Sequence, residues 1–240
     1  TLLEGYYAVT HPSLPNYIAL IAGDTFGIET DYPNVVLDAP ILPDSIEASG
    51  RTWKAYMESM PEACGLQDTL SYVQKHNPFV FFKSIRENLS RCREHIVPLE
   101  ELGRDIQQGT LPNYVFISPN LCHSGHETTT RPDDCGYRDV DHWMAGWLDQ
   151  LVYYPGLMDK GVIVLDWDEG QGNHSCCGFE SGGGRVATVL ISNRVEQGFV
   201  DPNPYTHYSL VRTIAESWSM PAPGNATDNE KAPLIIAPWH

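Results

Sequence analysis

Three short apolar runs, helical stretches between them, and polar clusters directly following two of the runs predict an α/β fold, a mostly parallel sheet sandwiched by helices. Parallel strands covered on both faces read as continuous apolar runs, not as alternating patterns. Apolar residues at one-face spacing mark the helices between them.

Each element has its own local reason. Ser13 can cap a helix, Pro15 suits the first turn, and Ile18 to Ala22 supply an apolar face. A second helix spans 98–108, with Gly109 as the left-handed residue beyond its end. The first apolar run is Tyr114-Val-Phe-Ile117. A helix over 141–153 carries Trp143, Met144, Trp147, Leu148 and Leu151 on one face, with Asp141 as its cap. The second and third runs are Val162-Ile-Val-Leu165 and 186–191. A last helix covers 208–220 through Leu210, Val211, Ile214 and Trp218. Trp53, Tyr56 and Met57 are assigned to core packing. The 20 glycines and 18 prolines are spread along the chain without a linker or repeat, so residues 1–240 read as one domain.

A net charge of −16 argues against nucleic acid or an anionic membrane as partner, since both require a basic footprint. It is compatible with binding a cation. With 42% hydrophobic and 19% charged residues, the 240-residue chain can bury a core and is not of the disordered class. No apolar run reaches the roughly 18 residues of a membrane span. Six cysteines and three sequons, at Asn88, Asn173 and Asn225, favour a secreted glycoprotein with disulfides. Six cysteines allow 15 connectivities. Proximity pairs Cys64 with Cys92 and Cys122 with Cys135, leaving Cys176 and Cys177 as a vicinal bridge.

Chemistry gathers after the strands. Ile117 runs into Ser-Pro-Asn-Leu-Cys-His-Ser-Gly-His-Glu127, and Leu165 into Asp-Trp-Asp-Glu-Gly170. Ligand sites of open α/β sheets lie beyond the carboxyl ends of strands. His123, His126, Asp168 and Glu169 are therefore expected on one edge, a donor set of carboxylates and imidazoles suited to a metal. Taken alone, Asp168-Glu169 reads equally as a strand-ending turn. Asp133-Asp134 reads as solvated charge. His11, just before Pro12, can face the same edge. Ser13 at a helix N-terminus is either a plain cap or a nucleophile placed where backbone N–H groups favour phosphate.

Thr10-His-Pro-Ser-Leu-Pro-Asn-Tyr17 followed by Gly23-Asp-Thr-Phe-Gly-Ile28 resembles the phosphoesterase family of secreted acid phosphatases and phospholipases C, within the alkaline phosphatase superfamily. Thr52-Trp-Lys-Ala-Tyr-Met-Glu58, Lys75-His-Asn-Pro-Phe79, Ser118-Pro-Asn120, Asp166-Trp-Asp-Glu-Gly170 and Thr206-His-Tyr-Ser209 match in the family's order. The resemblance implies an alkaline-phosphatase-like core. It also implies hydrolysis of a phosphate ester through a phosphoserine on Ser13, with a divalent metal ion on Asp168, Glu169 and Ser13. It further implies His126 or His207 as the acid that protonates the leaving group, Asn16 as a donor to the phosphate, and His76 in the pocket wall. Substrates would be small phosphate esters or phospholipids, in the extracellular space; the oligomeric state stays open.

Two departures qualify the likeness. Ser124 stands where the family has an aspartate. Family members also carry a strand with a Glu-Asn pair well ahead of the nucleophile, whereas Thr1 stands only twelve residues before Ser13, so that usual N-terminal strand is expected to be absent. The leading expectation is an acid phosphatase. The alternatives are a phospholipase C, or a non-catalytic glycoprotein with an incomplete metal site.

Overall fold

The computed structural model describes residues 1–126 and 135–240. Asp133, Asp134 and Glu127 lie outside the described residues. Seven strands and eight α-helices alternate along the chain among the described residues.

The strands are β1 (Leu2–Tyr7), β2 (Trp53–Met57), β3 (Ile96–Pro98), β4 (Tyr114–Ser118), β5 (Ile163–Leu165), β6 (Thr188–Ile191) and β7 (Val200–Thr206). The helices are α1 (Ser13–Ala22), α2 (Leu42–Ala48), α3 (Lys83–Arg86), α4 (Leu89–His95), α5 (Glu100–Gln108), α6 (Tyr137–Val152), α7 (Leu157–Lys160) and α8 (His207–Ser217). Strand order is β5-β6-β1-β7 in one sheet and β3-β2-β4 in the other. β2 is parallel to both its neighbours, and β1 is parallel to β7; β6 runs antiparallel to β1 and β5. The mixed α/β architecture is thus the one expected, with β6 as the reversed strand.

β4 and β5 are the facing edges of the two sheets, and both line a slot of about 730 Å³ with Trp143, Met144, Trp147 and Leu148 of α6. β1 precedes the nucleophile motif and lies inside the four-stranded sheet. β4 and β5 are not paired with one another.

α1 closes against the larger core. Leu14, Ile18 and Ile21 are fully buried among Phe79, Phe82, Ile41, Ile46 and Trp53. Burying each such side chain contributes about 1.5–3 kcal/mol. Trp53 stacks on His95 at a centroid distance of 4.4 Å and donates from Nε1 to Glu47 Oε1 at 2.6 Å. Its assignment to the core holds, although β2 itself is not evident from the sequence.

Helix boundaries follow their caps. α5 ends at Gly109, in the left-handed region with φ 69°, whose N–H bonds back to Asp105 O and Ile106 O. It starts at Glu100 because residues 96–98 are spent on β3. α6 starts at Tyr137, and the group at its start is Asp139, whose carboxylate accepts the Gly136 N–H at 2.9 Å. Asp141, expected as the cap, lies inside the helix. α8 opens at His207, where Ser209 Oγ accepts the Thr206 N–H at 3.0 Å.

All three expected disulfides are present: Cys64–Cys92, Cys122–Cys135 and Cys176–Cys177. No helix among the described residues is long and apolar enough to cross a membrane.

Candidate active site

The carboxyl ends of β1, β5 and β7 meet around the first turn of α1. β1 delivers residues 8–12 and then Ser13. β5 delivers Asp166, Asp168 and Glu169. β7 delivers His207.

Ser13 is the first residue of α1, not its cap: Pro12 holds the cap position and makes no side-chain cap hydrogen bond. With that task removed, the Ser13 hydroxyl points to the carboxylate opposite and donates to Glu169 Oε1 at 2.9 Å. Ser13 is only 5% exposed. The helix N-terminus is served from outside by Asp31, which accepts the Leu14 N–H at 3.0 Å and pairs with Lys75 at 2.6 Å.

The other oxygen of Glu169 faces His11 Nδ1. His11 Nε2 lies 2.9 Å from the Gly172 carbonyl, so it carries a proton and donates it. Burial opposes the charged imidazole, but the Gly172 carbonyl and the Glu169 carboxylate outweigh it and raise the His11 pKa.

Asp168 is the neighbouring acid. Its Oδ2 is closed off from solvent without a hydrogen-bond partner among the described residues. Burial pushes its carboxyl up to about 6, with the Ser13 hydroxyl opposing the rise and the Glu169 charge adding to it.

His207 is fully buried behind these groups. Its Nε2 donates to the Asp168 main-chain carbonyl at 2.7 Å, and its Nδ1 lies 3.2 Å from Tyr6 Oη and 3.4 Å from Asp166 Oδ2. Asp166 is steadied by Thr188 Oγ1 at 2.7 Å. Burial, then the Asp166 charge and a hydrogen bond to Asp166, holds the Tyr6 phenol well above its ordinary range.

A model of the phosphoesterase family matches residues 1–221. The chain belongs to the phosphoesterase family. Two fungal proteins are similar to it. An acid phosphatase of Aspergillus fumigatus is 30% identical over 235 residues, 93% of this chain and 49% of that protein. A phosphate-repressible acid phosphatase of Penicillium chrysogenum is 30% identical over 233 residues, 93% of this chain and 53% of that protein. The chain thus spans about half the length of these relatives. A phosphatidylinositol-3-phosphatase of Mycobacterium tuberculosis is 27% identical over 235 residues, 97% of this chain and 70% of that protein. In three dimensions the fold resembles the crystal structure of Ps i-CgsB in complex with k-i-k-neocarrahexaose. The TM-score is 0.55 at 14% identity, over 97% of this chain and 69% of that one, a likeness of fold alone.

Against this phosphoesterase background, several expected residues take different places. Asn16 is fully buried, and its polar atoms are committed to the chain. Its Oδ1 accepts from Val9 N and Thr10 N at 3.0 and 3.2 Å, and its Nδ2 donates to Thr10 O and Pro12 O at 2.7 and 3.1 Å. These bonds build the turn that presents Ser13. His207 likewise contacts Asp168, Tyr6 and Asp166. His76 is 6% exposed and stacks on Tyr17 at 4.9 Å. Burial, with Lys75 adding, lowers its pKa to about 3, so it is a neutral group behind the pocket wall. His126 is exposed on the loop after β4, where its main-chain N–H donates to Ser124 Oγ at 3.4 Å. His123 is drawn off to Glu58, at 2.9 Å, and stacks on Trp143.

Asp168, Glu169 and Ser13 offer three hard oxygen donors, and the unpartnered Asp168 Oδ2 is the kind of atom a divalent cation satisfies. Among the described residues no group of three or more His, Cys, Asp and Glu stands ready to hold an ion. These donors suit a metal but make only part of a coordination shell.

The 170–184 loop packs directly on the nucleophile turn. Gly183 N donates to Ala8 O at 2.9 Å and Ala8 N to Gly184 O at 3.0 Å. A Cβ at Gly183 would lie 2.0 Å from the Thr10 carbonyl oxygen. Backbone cannot yield as a side chain can, so Gly183→Ala is expected to cost about 1–3 kcal/mol in urea unfolding. An unchanged midpoint would refute this packing.

The sequons differ in access. Asn173 is exposed on this loop. Asn88 is exposed but caps a short helix, Leu89–His95, by accepting the Arg91 N–H at 3.2 Å. Asn225 is half-buried, with Nδ2 on Asp24 and Oδ1 on Lys231.

Proposed function

We propose that this chain is a secreted acid phosphatase that hydrolyses phosphate monoesters through a phosphoserine on Ser13. The observation that carries the reading is a buried serine at the first position of a helix, 2.9 Å from a carboxylate oxygen. A serine hydroxyl is a weak nucleophile until a base takes its proton. Glu169 Oε1 is the acceptor already in place. As Ser13 Oγ bonds to phosphorus, its proton passes to Glu169 and the bond to the leaving oxygen breaks. The departing alkoxide then takes a proton, from water or from His126, the acid that the family resemblance implies. Water afterwards attacks the phosphoserine, inorganic phosphate departs, and the proton returns to Ser13.

A divalent cation, held by Asp168 with Glu169 and the Ser13 oxygen, would supply Lewis-acid polarisation of the phosphate and ease deprotonation of the serine. Three disulfides and the exposed sequon Asn173 support the secreted location. The named relatives support the monoester: two are acid phosphatases and one is a phosphatidylinositol-3-phosphatase.

Release of nitrophenolate from p-nitrophenyl phosphate, with and without chelator, tests the reading. Turnover that chelator suppresses and added cation restores is the expected result. Cleavage of phosphatidylcholine with none of nitrophenyl phosphate would favour the phospholipase C alternative, and no turnover of either the non-catalytic one.

A further inference from the structure

We infer that His11 is a positioning residue for phosphoryl transfer: it fixes Glu169 so that Oε1 faces Ser13, and anchors that carboxylate to the 170–184 loop through Gly172. The inference rests on Ser13 being the nucleophile.

The geometry divides the two oxygens of one carboxylate between two partners. Oε1 takes the Ser13 hydroxyl at 2.9 Å, while Oε2 takes His11 Nδ1. A glutamate has three rotatable side-chain bonds, so one contact alone leaves its carboxylate free to swing. The second contact, from a rigid ring, removes that freedom. The ring is itself held at its far end, where Nε2 donates to the Gly172 carbonyl at 2.9 Å. Gly172 belongs to a loop stitched to the nucleophile turn by Gly183 N to Ala8 O at 2.9 Å and Ala8 N to Gly184 O at 3.0 Å. His11 therefore closes a circuit: nucleophile turn, imidazole, loop, and back to the turn. An imidazole suits this place because its nitrogens point in divergent directions. One reaches a side chain and the other a main-chain carbonyl.

Three substitutions separate the two contacts. In His11→Asn the side-chain amide nitrogen falls near the Nδ1 position and keeps the Glu169 contact. In His11→Gln it reaches toward Gly172 and gives up Glu169. His11→Ala loses both. With p-nitrophenyl phosphate, kcat is expected to fall roughly 10–100-fold in the Ala and Gln variants, with KM within about threefold, as for other residues that orient a reacting group. His11→Asn should recover most of kcat. Crystals of His11→Ala should show the Glu169 carboxylate turned away from Ser13.

Wild-type kcat in His11→Ala, an Asn variant no better than Ala, or Glu169 still on Ser13 in the His11→Ala crystals would overturn the assignment. The crystallographic comparison is scored without turnover, so it decides the role of His11 even if the phosphatase reading itself fails. If His11→Ala does not fold, the Asn and Gln pair carries the same comparison.

Discussion

Ser13→Ala is expected to lower kcat on p-nitrophenyl phosphate by about 10⁴-fold or more, and to abolish the phosphoprotein trapped by acid quench. Removing a nucleophile removes the covalent route entirely, and what remains is the modest rate that binding and charge alone provide. The fold should survive. Ser13 is not the cap of α1, so no helix capping bond is lost. Its partner Glu169 keeps His11. The remaining cost is one carboxylate oxygen deprived of its donor, about 1–3 kcal/mol. Urea unfolding alongside the assay separates the two effects. A variant that folds and still turns over within tenfold of wild type would end the assignment of Ser13 as nucleophile.

The second large effect concerns Asp168. In chelator-treated protein, Asp168→Asn is expected to raise stability by about 2 kcal/mol at pH 7.5, with the gain vanishing near pH 4, while activity with cation restored falls at least 10²-fold. The sign follows from proton binding. Burial pushes the folded-state pKa up to about 6, above an ordinary aspartate. Between about pH 4 and 6 the folded chain therefore binds more protons than the unfolded one. Stability from this group consequently falls as pH rises through that window. Below it both states are protonated and the group contributes nothing; above it the fold carries a buried charge whose Oδ2 has no hydrogen-bond partner among the described residues. Asparagine has no proton to lose and escapes the penalty. Urea midpoints of both proteins between pH 4 and 8 give the test. A difference that does not change with pH would show that the Asp168 carboxylate is not held in this way.

How much of this was legible in the sequence depended on how locally each feature is encoded. β4, β5 and β6 are contiguous apolar runs, and α5 ends at a glycine that its geometry requires, so both kinds of element can be read without tertiary knowledge. β1 and β2 escape notice because Glu4 and Gly5 interrupt one and Lys54 the other. Gly5 has its own reason. The register between β1 and β7 shifts there, and a Cβ would lie 2.5 Å from Asn203 O. β7 contains Pro202 and Pro204, which ordinarily argue against a strand; it survives at the edge of its sheet, with β1 as its neighbour.

The same rule governs the candidate site. Ser13 and the Asp168-Glu169 pair could be found because each lies within a short motif at an element boundary. His11 meets Glu169 across 158 residues, and Tyr6 meets His207 across 201. Only folding reveals such pairs. Asp166 carried a usable signal: two positions before Asp168, it lies on the same stretch of strand end. Asn16 shows the limit from the other side: the sequence places it beside the nucleophile, but that the surrounding main chain engages each of its polar atoms is visible only in the fold.

The interruption between β4 and β5 has a mechanical consequence. A continuous sheet would transmit force through its ladder of hydrogen bonds, but here the two sheets do not share one. Part of that duty falls on α1, whose first residue follows β1 while Ile18 and Ile21 are packed with Trp53 and Ala55 of β2. Glu169 belongs to the four-stranded side alone. α1 therefore ties the two sheets together, while Ser13 at its first turn meets Glu169 from within the four-stranded side at 2.9 Å.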